Sequence, residues 1–213
     1  MDLSPSLPEL LDRIRGLRAA PGERLVIGIV GVPGAGKSTL AAALVAGLRA
    51  DGATRAVQVP MDGFHLADVQ LNRLGLRHVK GAPPTFDGDG YAALLGRLRH
   101  DRTRPVYAPN FERDLEQPLA GAIVVEPEDD IIITEGNYLL LQDDPWPSTR
   151  SECHDVWFVD VADDVRLPRL IARHVQFGKT PDEAHEWVMR NDEANTAVVK
   201  ASAAGADLTV TMG

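Results

Sequence analysis

The stretch that most constrains this chain is GVPGAGKST at residues 31–39. It follows the apolar run LVIGIV at 25–30 and precedes an alanine-rich amphipathic segment that predicts a helix over 37–50. A continuous apolar run of this length is typical of a central strand in a parallel sheet. The stretch matches the phosphate-cradling pattern GxxxxGK[ST] in full, at Gly31, Gly36, Lys37 and Ser38.

The spacing of this loop has a chemical purpose. Its glycines let the backbone curl so that N–H groups point inward, and the helix that follows adds partial positive charge at its N-terminus. Lys37 can then reach the outer phosphates of a nucleoside triphosphate, and the Ser38 hydroxyl can ligate Mg²⁺. The alternative is a glycine-rich turn between a strand and a helix, with a lysine that binds no phosphate. The predicted phosphate-binding residues are Gly31, Gly34, Ala35, Gly36, Lys37, Ser38 and Thr39.

Strand-like and helix-like segments alternate along the chain. This alternation predicts a doubly wound α/β sandwich with a parallel sheet, and 213 residues suffice for one domain. Helices are predicted over 5–19, 37–50, from Asp87 or Asp89 onward, 164–177, and from the capping box TPDE at 180–183 to about Lys200. Strands are predicted over 25–30, 55–60, 130–134, 155–161 and 207–211.

Composition excludes several classes of protein. The net charge of −9 argues against a nucleic-acid partner. No apolar run approaches the ~20 residues that span a bilayer, and the N-terminal stretch MDLSPSLPELLDRIRGLRAA lacks the pattern of a signal peptide. We therefore expect a cytoplasmic protein without a membrane partner. The lone Cys153 is expected to be a small packed residue.

Acidic residues follow the predicted strands, where ligands of open parallel sheets bind. Asp62 in MDGFH could accept the proton of a substrate hydroxyl, although Asp-Gly is also a common turn dipeptide. Glu135 ends an Ile-Ile-Ile strand, where an acid can hold magnesium through water, although it could instead be a turn residue. Asp160 lies inside a strand and is expected to be structural.

Three arginines, Arg166, Arg169 and Arg173, are spaced at i, i+3 and i+7 and share one face of a predicted helix. Lys179 follows shortly after. Such a stripe could fold over a triphosphate and neutralise the charge that develops in phosphoryl transfer, or it could be a solvated basic face. Pro168 predicts a short start or a kink in this helix.

The stretch 62–118 is too rich in polar, proline and aromatic residues to be a mere connection. A long insertion between two strands is a place where a second substrate could be held. Its candidate ligands are His65, Arg77, Lys80, Asp87, Tyr107 and Arg113. The helical motif NDEAN, with Asn191, Asp192 and Asn195, has no role assigned from the sequence.

Other nucleotide-binding classes fit less well. The base-reading NKxD of GTPases is absent, and DGDG at 87–90 fits DxxG without a strand before it. The LSGGQ-like signature of transport ATPases is absent too. A non-catalytic nucleotide-binding regulator stays open, but it would need neither the acid after the second strand nor the arginine stripe.

The order of motifs resembles the uridine kinase, pantothenate kinase and phosphoribulokinase superfamily of P-loop kinases. The similar segments are GVPGAGKST, PMDGFH, KGAPPTFD, PVYAPNFERD, TEGNYLLL and RLPRLIARH, and they run from about residue 25 to 180. The resemblance implies a P-loop NTPase sandwich with a five-stranded parallel sheet in the order 2-3-1-4-5. It further implies a single domain, 1–213, with a helical lid at about 164–180 and a substrate-binding insertion at about 62–118.

The resemblance also implies roles for individual residues. Asp62 would be the catalytic base, while Lys37 and Ser38 would serve ATP and Mg²⁺. Glu135 would support the metal together with Ser38 and Asp62. Arg169 and Arg173 match the lid arginines of uridine kinases.

The resemblance divides on the substrate. KGAPPTFD is similar to KGxPxxYD of pantothenate kinases, with Phe86 in place of tyrosine. In PVYAPNFERDLEQP, only Tyr107 and Arg113 match the uridine kinase pattern PxYDFxxHxR. The implied activity is ATP-dependent phosphorylation of a hydroxyl on a small polar metabolite, such as a nucleoside, pantothenate or a sugar. The alternative is a regulator linked to sugar transport. Assembly varies in the superfamily, and a homodimer is carried as an expectation.

Overall fold

A computed structural model of the protein describes residues 5–212. Residues 1–4, which begin the stretch examined above for a signal peptide, and Gly213 lie outside the described residues. In chain order the strands are β1 (Leu25–Gly31), β2 (Ala56–Pro60), β3 (Val106–Glu112), β4 (Gln117–Val125), β5 (Ile131–Gly136), β6 (Asp155–Val161) and β7 (Leu208–Met212). The α-helices are α1 (Leu7–Gly16), α2 (Lys37–Arg49), α3 (Asp68–Leu74), α4 (Gly88–His100), α5 (Trp146–Ser151), α6 (Asp163–Gln176), α7 (Pro181–Trp187) and α8 (Glu193–Ser202).

The central sheet has five parallel strands in the order β2-β5-β1-β6-β7. These are the five strands predicted from the sequence, in the predicted spatial order. The numbering differs from 2-3-1-4-5 only because two hairpin strands that the sequence did not predict, β3 and β4, precede β5 in the chain. The α/β class is thereby confirmed.

The buried core explains the apolar runs of the sequence. Every residue of β1 and of β5 is buried, as expected of strands covered by helices on both faces. Cys153 belongs to this core, and burial raises the pKa of its thiol to about 12, so it stays protonated. Among the described residues, no helix combines the length and the apolar composition needed to cross a membrane.

The segment between β2 and β5 carries the hairpin and two helices. A 3₁₀ turn at Met61–Phe64 follows β2, and the antiparallel hairpin of β3 and β4 packs over it. A Cβ on Gly63 would lie 2.5 Å from the carbonyl oxygen of Pro109. The glycine of the Asp-Gly pair is therefore required by the close approach of the hairpin.

The C-terminal helices differ from the prediction in two details. Helix α6 begins at Asp163 and continues through Pro168, so the proline does not delay its start. The capping box of Thr180 and Glu183 opens α7 as predicted. The single helix expected up to about Lys200 contains a π-helical turn at Val188–Asp192, which carries Asn191 and Asp192.

Candidate active site

The phosphate loop joins β1 to α2 at the centre of the sheet. Gly34 and Gly36 have φ angles of 80° and 89°, in the left-handed region that favours glycine. A Cβ on Gly31 would lie 2.8 Å from the carbonyl oxygen of Val159 in the neighbouring strand. The glycines of the motif are therefore dictated by backbone curvature and by a close strand contact.

Lys37 is held within this loop. Its side chain is almost fully buried, and Nζ donates a hydrogen bond to the carbonyl oxygen of Val32 at 3.1 Å. Burial lowers the pKa of Lys37 to about 8, although the negative charges of Glu135 and Asp62 oppose the shift. The ammonium group therefore sits in a poorly solvated place, where a polyphosphate would compensate its charge.

Ser38 and Glu135 form an oxygen-rich pair beside the lysine. The Ser38 hydroxyl donates a hydrogen bond to Oε1 of Glu135 at 2.9 Å. Burial raises the pKa of Glu135, and the negative charge of Asp62 raises it further. Hydroxyl and carboxylate oxygens are the hard ligands that Mg²⁺ prefers, so this donor set fits magnesium.

Asp62 lies in the turn that follows β2, directly beside the end of β5. Desolvation would raise the pKa of this carboxyl, but the positive charges around it, among them those of Arg113 and Lys37, lower it. Nη2 of Arg113 lies 3.4 Å from Oδ2 of Asp62. The residue is therefore kept as a carboxylate among cations, which is the form that can accept a proton.

His65 follows in the same segment, with its ring between two phenylalanines. The ring centroids of Phe86 and Phe111 lie 4.0 and 4.8 Å from that of His65. Nδ1 lies 2.8 Å from the carbonyl oxygen of Asp62. Because a carbonyl only accepts hydrogen bonds, Nδ1 carries the proton and Nε2 is left as an acceptor. Burial also lowers the pKa of His65, which favours this neutral form.

The C-terminal helices supply the opposite wall of the cavity. Nε2 of His174 on α6 lies 2.8 Å from Oδ2 of Asp192 on the π turn. Asn195 on α8 is 6% exposed and reaches the same cavity. The NDEAN motif thus contributes two lining residues, Asp192 at the end of the π turn and Asn195 on α8.

These groups face one cavity of about 230 Å³. The sequence-predicted residues that line it are Gly34, Lys37, Ser38, Asp62, His65, Arg77, Lys80, Arg113, Glu135, Arg173 and Lys179. The residues that the sequence did not assign to the site are Pro33, Gly81, Phe86, Phe111, Glu116, Asn137, His174, Phe177, Trp187, Asp192 and Asn195. Of these, only the polar motif NDEAN carried a signal, because isolated aromatic residues in an insertion do not reveal where they point.

Four predicted residues of the phosphate loop, Gly31, Ala35, Gly36 and Thr39, are not among the lining residues, and three predicted site residues lie away from the loop and the cavity. Asp87 is exposed, and its carboxylate accepts a hydrogen bond from the Gly90 backbone N–H at 2.9 Å, so it caps α4. Tyr107 is 63% exposed on the outer face of the hairpin. Arg169 is exposed on α6 and does not line the cavity.

The arginine stripe divides into three different environments. Arg166 is fully buried and donates to Asp163 and Glu193, and to the carbonyl oxygen of Pro33 in the phosphate loop. Arg173 alone of the three arginines lines the cavity. The prediction that the three arginines could act together on one ligand is therefore wrong, because the packing of α8 covers Arg166 and only Arg173 lines the cavity.

Comparison with protein-family models gives a short match. The model described as "Methylmalonyl Co-A mutase-associated GTPase MeaB" matches residues 6–63. This stretch runs from α1 to the turn after β2 and contains the phosphate loop. It covers well under half of the chain and shows a shared nucleotide-binding core.

Similarity to individual proteins extends much further. The Schizosaccharomyces pombe protein named "Putative uridine kinase C227.14" is 37% identical over 186 residues, which cover 84% of this chain and 79% of that protein. The Escherichia coli K12 protein YggC is 34% identical over 193 residues, covering 90% of this chain and 79% of YggC.

Solved structures agree with these relatives. A crystal structure described as a "putative fructose transport system kinase" from Silicibacter sp. TM1040 is 36% identical, with a TM-score of 0.88 over 96% of this chain and 98% of that chain. Phosphoribulokinase from Rhodobacter spheroides, with 10% identity and a TM-score of 0.62 over 88% of this chain and 70% of its own, shares the fold alone.

Proposed function

We propose that this chain transfers the γ-phosphate of ATP to a hydroxyl group of a small polar metabolite. The chain belongs to the uridine kinase, pantothenate kinase and phosphoribulokinase superfamily of P-loop kinases. One observation carries the proposal. The carboxylate of Asp62 faces the same cavity as Lys37 and the Ser38–Glu135 pair. A proton acceptor and a phosphate cradle thus meet where a hydroxyl and a triphosphate would react.

In the proposed reaction, Asp62 positions the acceptor hydroxyl and takes its proton. The acceptor oxygen forms a bond to the γ-phosphorus, and the bond from that phosphorus to the bridging oxygen of ADP breaks. Asp62 suits this role because surrounding cations lower its pKa, so the carboxylate is ionised at neutral pH. The pKa of the neighbouring Glu135 is raised instead. The two acids therefore differ in their affinity for a proton, which fits different roles, Asp62 as the proton acceptor and Glu135 as a support for the metal.

Positive groups would stabilise the transferred phosphoryl group. Lys37 and the loop N–H groups would bind the outer phosphates, and Arg173 on α6 would contact the charge that develops during transfer. Mg²⁺ held by Ser38 and Glu135, with Asp62 as a further carboxylate, would neutralise phosphate charge when bound. Helix α6 and the turn after it would act as a cover that excludes water.

The test is ADP production from Mg·ATP with a panel of acceptors. The panel holds uridine, cytidine, pantothenate, fructose and ribose, and Asp62→Asn is the control variant. We expect one acceptor to raise turnover by orders of magnitude over background. In the variant this rate should be about 10²- to 10⁴-fold lower, while ATP still binds. Tight ATP binding with no acceptor-dependent turnover would instead support a non-catalytic regulator.

A further inference from the structure

We infer that the acceptor is an uncharged polyhydroxylated molecule, a sugar, polyol or nucleoside, and that it is not a carboxylate- or phosphate-bearing metabolite. This inference rests on the proposed function. It comes from the distribution of ion pairs around the cavity, because a site that binds an anionic acceptor needs cations that are not already neutralised.

The cations of the insertion wall are already paired. Nε of Arg77 lies 3.1 Å from Oδ2 of Asp68, and Nζ of Lys80 lies 2.9 Å from Oδ1 of the same carboxylate. Lys80 donates a second hydrogen bond to the backbone carbonyl oxygen of Glu116. Its side chain is only 8% exposed. The carboxylate of Glu116 lines the same wall and adds another negative charge.

Arg113 is occupied as well. Its guanidinium lies 3.4 Å from Asp62 and 5.9 Å from the ring centroids of both Phe111 and Phe177. This arginine helps to keep Asp62 ionised. An acceptor carboxylate bound to Arg113 would compete with Asp62 for it, and this competition would raise the pKa of Asp62 and favour its protonated form, which cannot accept a proton.

The cavity-lining cations without an ion pair belong to α2, to α6 and to the turn after α6. Within residues 5–212, Lys37, Arg173 and Lys179 have no carboxylate within ion-pair distance. Burial and the positive charge of Arg113 lower the pKa of Arg173, and the charge of Arg173 in turn lowers the pKa of Lys37, so Arg173 lies close to the phosphate loop. Helix α6 approaches the loop closely, since a Cβ on Gly34 would lie 3.2 Å from Leu170. This excess positive charge matches the triphosphate.

The groups that are free to recognise the acceptor are neutral. Nε2 of His65 offers a lone pair for a hydroxyl donor. The side-chain amide of Asn195 is buried, and no hydrogen-bond partner for it occurs in the part of the chain that the structure describes. An amide that can both donate and accept suits hydroxyl groups, and the rings of Phe86 and Phe111 suit the apolar face of a sugar or a base.

The first experiment reads the charge of the acceptor without knowing its identity. A deproteinised bacterial extract is separated on ion exchangers into a neutral and an anionic small-molecule fraction, and each is incubated with the protein and [γ-³²P]ATP. We expect label to be transferred in the neutral fraction, into a product that elutes with sugar or nucleoside monophosphates. Transfer only in the anionic fraction would overturn the inference and leave the kinase proposal intact. If the protein binds ATP but transfers label in neither fraction, both the inference about the acceptor and the kinase proposal would be contradicted.

A second experiment tests the pairing itself. Asp68→Asn removes the negative charge that pairs with Lys80 and Arg77. Glucitol and gluconate serve as matched neutral and anionic probes. We expect the variant to improve the affinity for gluconate relative to glucitol about tenfold, the value of one new charge-assisted hydrogen bond. Asp130→Asn is the control, because Asp130 pairs with Arg102 at 3.0 Å and neither residue lines the cavity. An unchanged ratio in Asp68→Asn would contradict the role given to this ion pair.

Discussion

Nη1 of Arg166 donates a hydrogen bond to the carbonyl oxygen of Pro33 at 3.3 Å, so a buried side chain of α6 is joined to the phosphate loop. The same guanidinium reaches Asp163 at 2.8 Å and Glu193 at 2.6 Å through Nη2. It therefore ties α6, α8 and the loop together. Arg166 thereby helps to fix the position of α6, and with it that of Arg173.

Replacing Arg166 should destabilise the protein. Arg166→Met leaves the Pro33 carbonyl and the Glu193 carboxylate without this donor, and Asp163 keeps only Lys200. We expect the free energy of unfolding to fall by about 2–4 kcal/mol, because the carboxylates are partly exposed and can recover solvation. Urea denaturation measures the change. Arg169→Met on the exposed face of the same helix is the matched control and should change stability by less than about 0.5 kcal/mol. Equal losses in both variants would contradict the role given to Arg166.

ATP binding should weaken at alkaline pH. The pKa of Lys37 is lowered to about 8, so the free protein loses this positive charge as the pH rises through 8. Because a triphosphate binds the charged form, affinity should fall by up to about tenfold per pH unit above that point. Titration of a non-hydrolysable ATP analogue between about pH 6 and about pH 10 measures the effect.

Lys37→Arg separates this cause from others. Arginine keeps its charge over the whole range, so the alkaline loss should disappear in any variant protein that still binds the analogue. A wild-type affinity that stays flat to the alkaline limit would show that Lys37 does not titrate there. We also expect Lys37 to lose its proton at a higher pH in the nucleotide complex than in the free protein, because the phosphates stabilise the ammonium form.

The parts of this fold that the sequence predicts are those with local signals. The run at 25–30, the GxxxxGK[ST] loop and the helix after it are set by continuous burial, backbone curvature and helical periodicity, each visible in a short window. The capping box of Thr180 and Glu183 is equally local, and the structure has it. Asp62 could be singled out because the ends of parallel strands meet at one edge.

The parts that the sequence did not reveal depend on distant contacts. The hairpin strand β4 has an exposed, irregular burial pattern, and its pairing with β3 shifts register between Ala108 and Asn110, so no clean alternation marks it. Spacing places Arg166 and Arg169 on one helix, but only the packing of α8 decides which is buried. Asn195 lines the cavity from α8, which follows a π turn that no local sequence pattern indicates.

Gly63→Ala should disturb the site without touching a charged group. The new methyl would lie 2.5 Å from the carbonyl oxygen of Pro109, which is backbone and cannot rotate away. Either the hairpin or the turn that holds Asp62 must move, and a misplacement of about 1 Å can cost about 10²-fold in rate. Acceptor-dependent ADP release measures the loss.

The control for this variant is Gly16→Ala, since a Cβ at Gly16 meets nothing within 4 Å. We expect that variant to keep wild-type activity and stability. Full activity in Gly63→Ala would show that the contact between the hairpin and the turn is not needed to place Asp62. A loss of ATP affinity alone would point to a change in the phosphate loop instead.

Arg173→Ala should lower kcat more than it raises KM. Arg173 lines the cavity and, among the described residues, has no carboxylate within ion-pair distance, so its interaction is expected to strengthen as charge develops on the transferred phosphoryl group. Loss of one such group costs about 10²-fold in kcat. Steady-state kinetics with varied ATP separates the two constants, and Arg169→Ala, on the same helix but outside the cavity, should leave both unchanged. An increase in KM alone would make Arg173 a ground-state binder of nucleotide, since an interaction made equally before and during transfer does not accelerate the reaction.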